Sequence, residues 1–358
     1  MIRTIIMIFI IGFSSVFSFS ETHLSRKIYN LPDDSPGFKF GVDIIVVGED
    51  IIVLENRSHQ LFKFHVNGSI KFIKTIGRKG KGPSDLHLPS ELSFWNGVIA
   101  VKDEEGVSFF DGNGGYLDKF RLFSPRISFV FVNDKIYFAS SIPSKQYLIG
   151  VYNKKGKLLM SFGEKFLNLD FNFHKKASPF FSEKYFYSGK LLSDGSFIYY
   201  LNAKFGKVFK FDLEGKKVVE KDISEIFGDR GRRIVNKNND ILNKGLKPTS
   251  KNAYLYLDYK LFQDAFLFKE KIYIITTNLK DPSPPKTSEK INDDYISVIC
   301  KNSLNSEKKY LIKLNDDERI HSFAVTEKDG RVIFYAPMFT KEGTDIAVFK
   351  EKEPKEKD

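Results

Sequence analysis

Short apolar runs rich in β-branched and aromatic residues recur along the chain, and a tight polar turn precedes each run. Six such pairs of turn and run are present, and another apolar run lies just upstream of every turn. Runs of this kind predict β-strands, and a short polar turn between two of them predicts an antiparallel hairpin. The six turns begin at Gly48, Asn96, Asn133, Ser193, Lys269 and Lys328.

A second hairpin signal has the form aromatic, polar, two variable residues, then glycine. The glycine supplies the positive φ that a tight turn needs, and Asn or Asp tolerates the same geometry. Strand-forming sequence flanks each copy, so each copy predicts one more hairpin. The signal occupies residues 64–68, 110–114, 152–156 and 211–215.

Together the two signals give two hairpins, and hence four antiparallel strands, in one repeat. Four strands in about 40 to 60 residues are typical of a propeller blade, and six copies predict an all-β, six-bladed β-propeller. A β-sandwich or a pair of small β domains is the alternative, but neither requires the same pair of turns six times. In the clearest repeat the strands are predicted at residues 91–94, 98–102, 107–110 and 116–120.

The last repeat lacks sequence for a fourth strand. Its third strand is predicted at about residues 345–349, and the charged residues 350–358 predict a disordered tail. Residues 23–31 belong to no other repeat, so they are predicted to supply the missing strand. This pairing of the two chain ends would close the ring and protect an exposed strand edge. The propeller domain is predicted to span residues 21–349.

Residues 1–20 have the layout of a secretory signal peptide. Arg3 precedes an apolar run at residues 5–13, and Ser18 and Ser20 place small residues before a cut at Glu21. The apolar run is shorter than the roughly 20 residues that span a bilayer, so cleavage is favoured over a retained anchor. The mature protein is expected to be periplasmic or extracellular, without a membrane span.

Composition and charge narrow the function classes. Hydrophobic residues make up 42% of the 358 residues and aromatic residues 15%, which is enough for a large β core. The net charge of +11 raises the question of nucleic-acid binding, but the basic residues are spread along the chain among 45 acidic ones, so we expect no nucleic-acid partner. A single cysteine, Cys300, excludes an internal disulfide.

Residues 77–89 read GRKGKGPSDLHLP. This Gly-rich stretch, followed by an acidic residue and a proline ahead of an innermost strand, resembles the NHL-repeat signature. It is most similar to exported bacterial six-bladed β-propeller proteins, which carry such a segment after the first blade. Asp85 stands where that signature has Glu, and Leu86 where it has an aromatic residue. The resemblance implies a propeller fold and carries over no catalytic residue, because the family has no common one.

The long connections between repeats are the predicted binding surface. They fall at residues 76–88, 163–184, 223–260 and 277–294, all on one face of a propeller, and loops on a rigid scaffold commonly carry function. The connection at 223–260 is long enough to contain a helical turn or lid. We expect an unidentified protein, peptide or glycan to bind this face. The predicted ligand-binding residues are Arg57, Arg78, Lys81, Asp85, Arg230, Arg232 and Arg233.

No sequence motif of a known reaction is present, so no catalytic residue, metal ligand or cofactor is assigned. The predicted function is an exported, non-catalytic binding module. The alternative is a lactonase-like propeller hydrolase or lyase with a divalent metal on the axis, for which Glu91, Asp103 and His321 are the candidates. That alternative requires three or more carboxylate, Asn or His ligands to converge on the axis.

Overall fold

The computed structural model describes residues 21–29, 41–122, 126–140, 147–167, 187–244, 260–276, 294–315, 317–340 and 344–352. Within them the chain forms four four-stranded antiparallel sheets, one nine-stranded sheet and a two-stranded ribbon. The predicted all-β class is confirmed, and the small sheets have a propeller-like arrangement. The predicted signal peptide, residues 1–20, lies outside the described residues. Among the described residues, no helix is both long and apolar enough to cross a bilayer.

Strand β1 (Glu21–Tyr29) precedes the first two sheets. Sheet 1 comprises β2 (Gly41–Val47), β3 (Asp50–Glu55), β4 (Gln60–Val66) and β5 (Ile70–Ile76). A parallel ribbon of β6 (Arg78–Lys79) and β7 (Asp85–Leu86) leads to sheet 2. Sheet 2 comprises β8 (Glu91–Trp95), β9 (Val98–Lys102), β10 (Gly106–Asp111) and β11 (Tyr116–Arg121). The predicted strands of this repeat are confirmed to within one residue at each end.

The next two sheets are followed by a helical connection. Sheet 3 comprises β12 (Arg126–Val132), β13 (Lys135–Ser140), β14 (Tyr147–Asn153) and β15 (Leu158–Glu164). Sheet 4 comprises β16 (Gly189–Ser193), β17 (Phe197–Asn202), β18 (Lys207–Asp212) and β19 (Lys217–Asp222). A 3-10 helix (Ser224–Phe227) and helix α1 (Gly228–Lys244) follow, so the helical segment predicted within 223–260 is observed.

The nine-stranded sheet contains both ends of the described chain. Its strands are β20 (Asp264–Phe268), β21 (Lys271–Thr276), β22 (Asp294–Cys300), β23 (Ser306–Ile312), β24 (Arg319–Ile320), β25 (Ala324–Lys328), β26 (Arg331–Phe339), β27 (Thr344–Glu351) and β1. The first residues of β1 pair in parallel with β23, and residues 24–29 pair antiparallel with β27. The predicted pairing of the chain ends is thus observed. Strand β27 extends two residues beyond the predicted boundary at 349, and residues 353–358 lie outside the described residues.

The predicted turns lie where the sequence placed them. Each of the six turns of the first signal joins two antiparallel neighbours, from β2–β3 to β25–β26. The glycines of the second signal all have positive φ, from 70° to 88°. Gly156 also packs on the preceding sheet, since a Cβ there would lie 2.4 Å from the Phe120 ring. These turns define a hairpin face, and the connections between sheets define the opposite connection face.

The core is divided into buried clusters, each shared by neighbouring sheets. One cluster joins sheet 1 to sheet 2, and others join sheet 2 to sheet 3 and sheet 3 to sheet 4. A further cluster joins sheet 4 and α1 to the strands β20–β22. Sheet 1 in turn packs against β25–β27. The succession of sheets therefore closes on itself, which places the first strand of every sheet next to a common axis.

Candidate functional site

Four charged side chains from four different sheets meet at this axis. Lys190 Nζ lies 3.1 Å from Asp264 Oδ1, 3.4 Å from Glu91 Oε1 and 3.8 Å from Asp43 Oδ2. The four residues come from the first strands β16, β20, β8 and β2, and all three carboxylates are buried. We call Asp43, Glu91, Lys190 and Asp264 the axial cluster.

Side chains other than Lys190 also contact the carboxylate of Glu91. The Lys102 ammonium lies 3.0 Å from Glu91 Oε2, and the Ser128 hydroxyl donates to Glu91 Oε1. Buried carboxylates are tolerated only when they are paired in this way.

Asp43 is held by neutral donors in addition to Lys190. The backbone N–H of Leu92 donates to Asp43 Oδ2 at 2.7 Å, and the Ser322 hydroxyl donates to Oδ1 at 2.8 Å. Among the described side chains, three carboxylates face two ammonium groups, those of Lys190 and Lys102, so these five groups together carry one uncompensated negative charge when all are ionised.

The members of the axial cluster differ in how their surroundings shift their pKa values. Burial raises the pKa of Asp43 to about 6; the Lys190 charge opposes this rise, and the nearby Asp264 and Glu91 charges add to it. Burial would also raise the pKa of Glu91, but the Lys102 and Lys190 charges hold it below its usual range. Burial disfavours charged Lys190, yet the surrounding carboxylates hold its pKa well above the ordinary value. Lys190 is thus a permanent cation here.

A cavity of about 310 Å³ extends from the axial cluster along the first strands. Asp43, Lys190 and Asp264 line one end, where their strands begin. Phe94 and Phe268, near the ends of their strands, line the other end, and Phe94 is 36% exposed. The cavity therefore runs from the charged floor toward the hairpin face, between largely apolar walls.

One member of the axial cluster, Glu91, is a candidate from the sequence, whereas Asp43, Lys190 and Asp264 are not. Glu91 lies at the axis, where the enzyme alternative would place it. The buried Asp103 instead accepts hydrogen bonds from the Gly106 and Glu105 backbone within its own loop, and His321 contacts Gln263 and Phe339. A periodic signal was available, because polar residues recur five positions before the first residue of five of the six predicted turns. Those residues are Asp43, Glu91, Ser128, Ser188 and Asp264.

The predicted binding residue Asp85 is used inside its own loop. It is buried; Arg78 Nε donates to its Oδ1 at 2.7 Å, and the Gly82 N–H donates to its Oδ2 at 2.8 Å. A Cβ on Gly80 would lie 2.1 Å from that carboxylate. Gly80 is therefore required for close packing on Asp85. Hydrogen bonds from the Arg78 side chain and the Gly82 N–H hold the pKa of Asp85 below its usual range.

The predicted basic residues form two groups on different connections. Exposed Arg57, Arg78 and Lys81 lie beside sheet 1, where the Asn56 amide donates to the Pro89 carbonyl at 2.7 Å and ties the two loops together. The second group lies on α1 beyond sheet 4, so three complete sheets separate the groups along the chain. Its members are Arg230, Arg232 and Arg233.

Helix α1 sets the exposure of the second group. It buries Ile234, Asn238 and Ile241 on one face, and the Asn238 amide donates to the Lys204 carbonyl at 2.8 Å. Arg232 points to solvent and pairs with Asp229 on the same helix, whereas its two arginine neighbours are half-buried. Arg232 is the member of this group best placed to meet a partner.

The axial residues do not fit a metal ion. Three carboxylates converge there, but Lys190 Nζ occupies the point between them, and a metal would have to displace it. Within the described ranges, no group of three or more His, Cys, Asp or Glu residues is arranged to hold a metal. The arrangement can hold charge in place and can accept a ligand in the cavity above it.

No protein-family model matches the chain, and no curated protein matches it in sequence. A candidate exported protein from Bacteroides fragilis is 15% identical, with a TM-score of 0.58 over 93% of this chain and 99% of that chain. A member of the duf4221 family from Bacteroides vulgatus is 9% identical, with a TM-score of 0.56 over 93% and 98%. The WD40 domain of Neurospora crassa Pan2 is 8% identical, with a TM-score of 0.50 over 88% and 90%. WD40 domains are propellers, so these likenesses support the fold alone.

Proposed function

We propose that this chain is an exported, six-bladed β-propeller that binds a partner and catalyses no reaction. Sheets 1 to 4 would supply four blades. The nine-stranded sheet would supply two more, β20–β23 and β25–β27 with β1 as the outer strand, joined because β1 pairs with both β23 and β27. In this view residues 77–89 are the NHL-like segment after the first blade.

The observation that carries the non-catalytic assignment is that groups of the chain itself already engage the axial carboxylates. A propeller hydrolase or lyase with an axial metal needs carboxylates that are free to bind the ion. Here Lys190 and Lys102 engage these groups, and Asp43 also accepts a hydrogen bond from the Leu92 backbone. The cluster is built as a structural element of the axis, which favours a binding scaffold over the enzyme alternative.

The proposed partner surface is the connection face. Arg57, Arg78 and Lys81 would form one side of it, and the arginines of α1, above all the exposed Arg232, would form the other. Basic side chains on both sides would attract an acidic protein, peptide or glycan, with an effect that fades as salt rises. Asp85 would hold the first loop in shape and would not contact the partner itself.

We expect the double variant Lys81→Glu/Arg232→Glu to bind an acidic probe at least tenfold more weakly at low salt. Heparin can represent glycans and poly-glutamate can represent peptides, with affinity measured by titration calorimetry. Both side chains are exposed, so the melting temperature should be nearly unchanged. The matched control is Lys155→Glu/Lys216→Glu, which makes the same charge change at exposed hairpin-face turns. Equal losses in the two double variants would show attraction to net charge alone and would contradict the proposed face.

Export would be tested on the full chain expressed in a bacterial host. The protein is expected outside the cytoplasm with Glu21 as its first residue, as read by intact-mass measurement. A cut at this point leaves β1 whole. A soluble cytoplasmic product that retains Met1 would contradict export.

A further inference from the structure

The cavity above the axial cluster has the features of a small-molecule site that the proposed partner surface does not use. Its volume of about 310 Å³ falls within the usual range of ligand pockets, which are mostly apolar with a few convergent polar groups. The charged groups are confined to one end, where Asp43, Lys190 and Asp264 line the floor. The walls are built mainly from apolar side chains of the first strands.

The charge balance of the floor indicates the sign of the ligand. Asp43, Glu91 and Asp264 contribute three carboxylates, whereas Lys190 and Lys102 contribute two ammonium groups. Glu91 is paired with both lysines. The uncompensated negative charge therefore lies on Asp43 and Asp264, which also line the cavity. An added monocation would bring the floor to neutrality, whereas an added anion would meet an excess of like charge.

The side chains of the cavity walls indicate the chemical nature of the rest of the ligand. Phe94, Phe266 and Phe268 line the cavity near the hairpin face, and Phe94 keeps 36% of its surface exposed. A flat apolar or aromatic body fits between such side chains, and burial of its surface would add to the electrostatic attraction. Because β8 and β20 both run toward their hairpins, the ligand would enter from the hairpin face, opposite the proposed partner surface.

We propose that this cavity binds a small organic monocation, an amine with an aromatic or apolar body, with its ammonium group on Asp43 and Asp264. The site is independent of the connection face. The proposal concerns binding alone and involves no covalent step.

The test compares three probes of nearly equal size: 2-phenylethylamine, 2-phenylethanol and phenylacetate. Calorimetry on the mature protein at pH 7.5 should show saturable amine binding, at least tenfold tighter than the alcohol, and no binding of the carboxylate. Equal affinity for amine and alcohol, tighter binding of the carboxylate, or no amine binding at all would each overturn the proposal.

Two variants link the binding to the cavity. Asp264→Asn removes the excess charge, so the amine should bind no more tightly than the alcohol. Should that variant fail to fold, Thr326→Phe narrows the mouth and should abolish amine binding, whereas Thr75→Phe on the outer strand of sheet 1 should not. Lys81→Glu/Arg232→Glu should leave amine binding unchanged. The two proposals can therefore fail separately.

Discussion

Deletion of residues 21–29 should lower the melting temperature by at least about 10 °C, or leave the protein insoluble. The deletion removes β1, which pairs with both β23 and β27. Without it both strands would present an unpaired edge, and unpaired edges promote aggregation. Because β1 links the beginning of the described chain to its last strand, the loss should be cooperative, with one transition at a lower temperature.

The side chains of β1 add to the backbone pairing. Leu24 is buried in a cluster with Phe334 and Phe349, and Leu→Ala at a buried site costs about 2–5 kcal/mol. Arg26 pairs with the buried Glu318 and donates to the Lys313 carbonyl at 3.2 Å. Loss of these contacts adds to the loss of backbone pairing, which supports a large shift in melting temperature.

Point variants and a tail deletion distinguish the effect of lost side-chain packing from the effect of a shorter chain. Leu24→Ala should lose about 2–5 kcal/mol of unfolding free energy, and Lys27→Ala, at an exposed position of the same strand, should stay within about 0.5 kcal/mol. Deletion of residues 353–358 serves as the control for shortening the chain and should leave the melting temperature unchanged. Denaturant titration measures all three. An unchanged midpoint for the 21–29 deletion would show that the ring closes without β1.

Lys190→Met should destabilise the protein by about 3–5 kcal/mol at pH 7, because it leaves three buried carboxylates without their shared cation. Methionine keeps most of the side-chain volume, so the loss reports charge and not a cavity. The surface pair of Lys207 and Asp222, 3.7 Å apart and much more exposed, provides the control. Lys207→Met should cost less than about 1 kcal/mol.

The loss of stability caused by Lys190→Met should become smaller as the pH falls from 7 toward 5. Asp43 already has its pKa raised to about 6 in the presence of Lys190. Loss of the ammonium raises the pKa values of the axial carboxyls further, so the folded variant binds more protons than the unfolded chain between pH 4 and 7. Stability then rises as the pH falls through this range.

A second change should restore part of the loss. Adding Asp264→Asn to Lys190→Met removes one of the uncompensated charges, and denaturant titration at pH 7 should show recovered stability. A loss below about 1 kcal/mol for Lys190→Met, or a loss that does not change with pH, would contradict the role assigned to Lys190.

The strands and turns could be predicted from the sequence because their signals are local. A hairpin is specified within a few residues, as at Asn96-Gly97, where both residues take positive φ. The aromatic residue and glycine of the second signal act within five positions, and the turns at 114 and 156 appear as expected. The pairing of the chain ends could also be predicted from local pattern. The last repeat has no sequence for a fourth strand, and residues 23–31 belong to no other repeat.

The site could be predicted only in part. Glu91 was identified as an axial candidate, but Asp43, Lys190 and Asp264 were not, although they lie in the same strand positions of other repeats. The role of Asp85 was also missed, because its partners Gly80 and Arg78 are set by the fold of the loop.

What the sequence by itself determined is the all-β repeat: where the strands and turns lie, and that the first and last segments pair. Only the tertiary structure decided that Lys190 stands among Asp43, Glu91 and Asp264, and that an apolar cavity lies above them. The physical reason is distance along the chain. Turn geometry depends on neighbouring residues, whereas the charge balance at the axis exists only after the succession of sheets has closed and brought Asp43 and Lys190, 147 positions apart, to within 3.8 Å of each other.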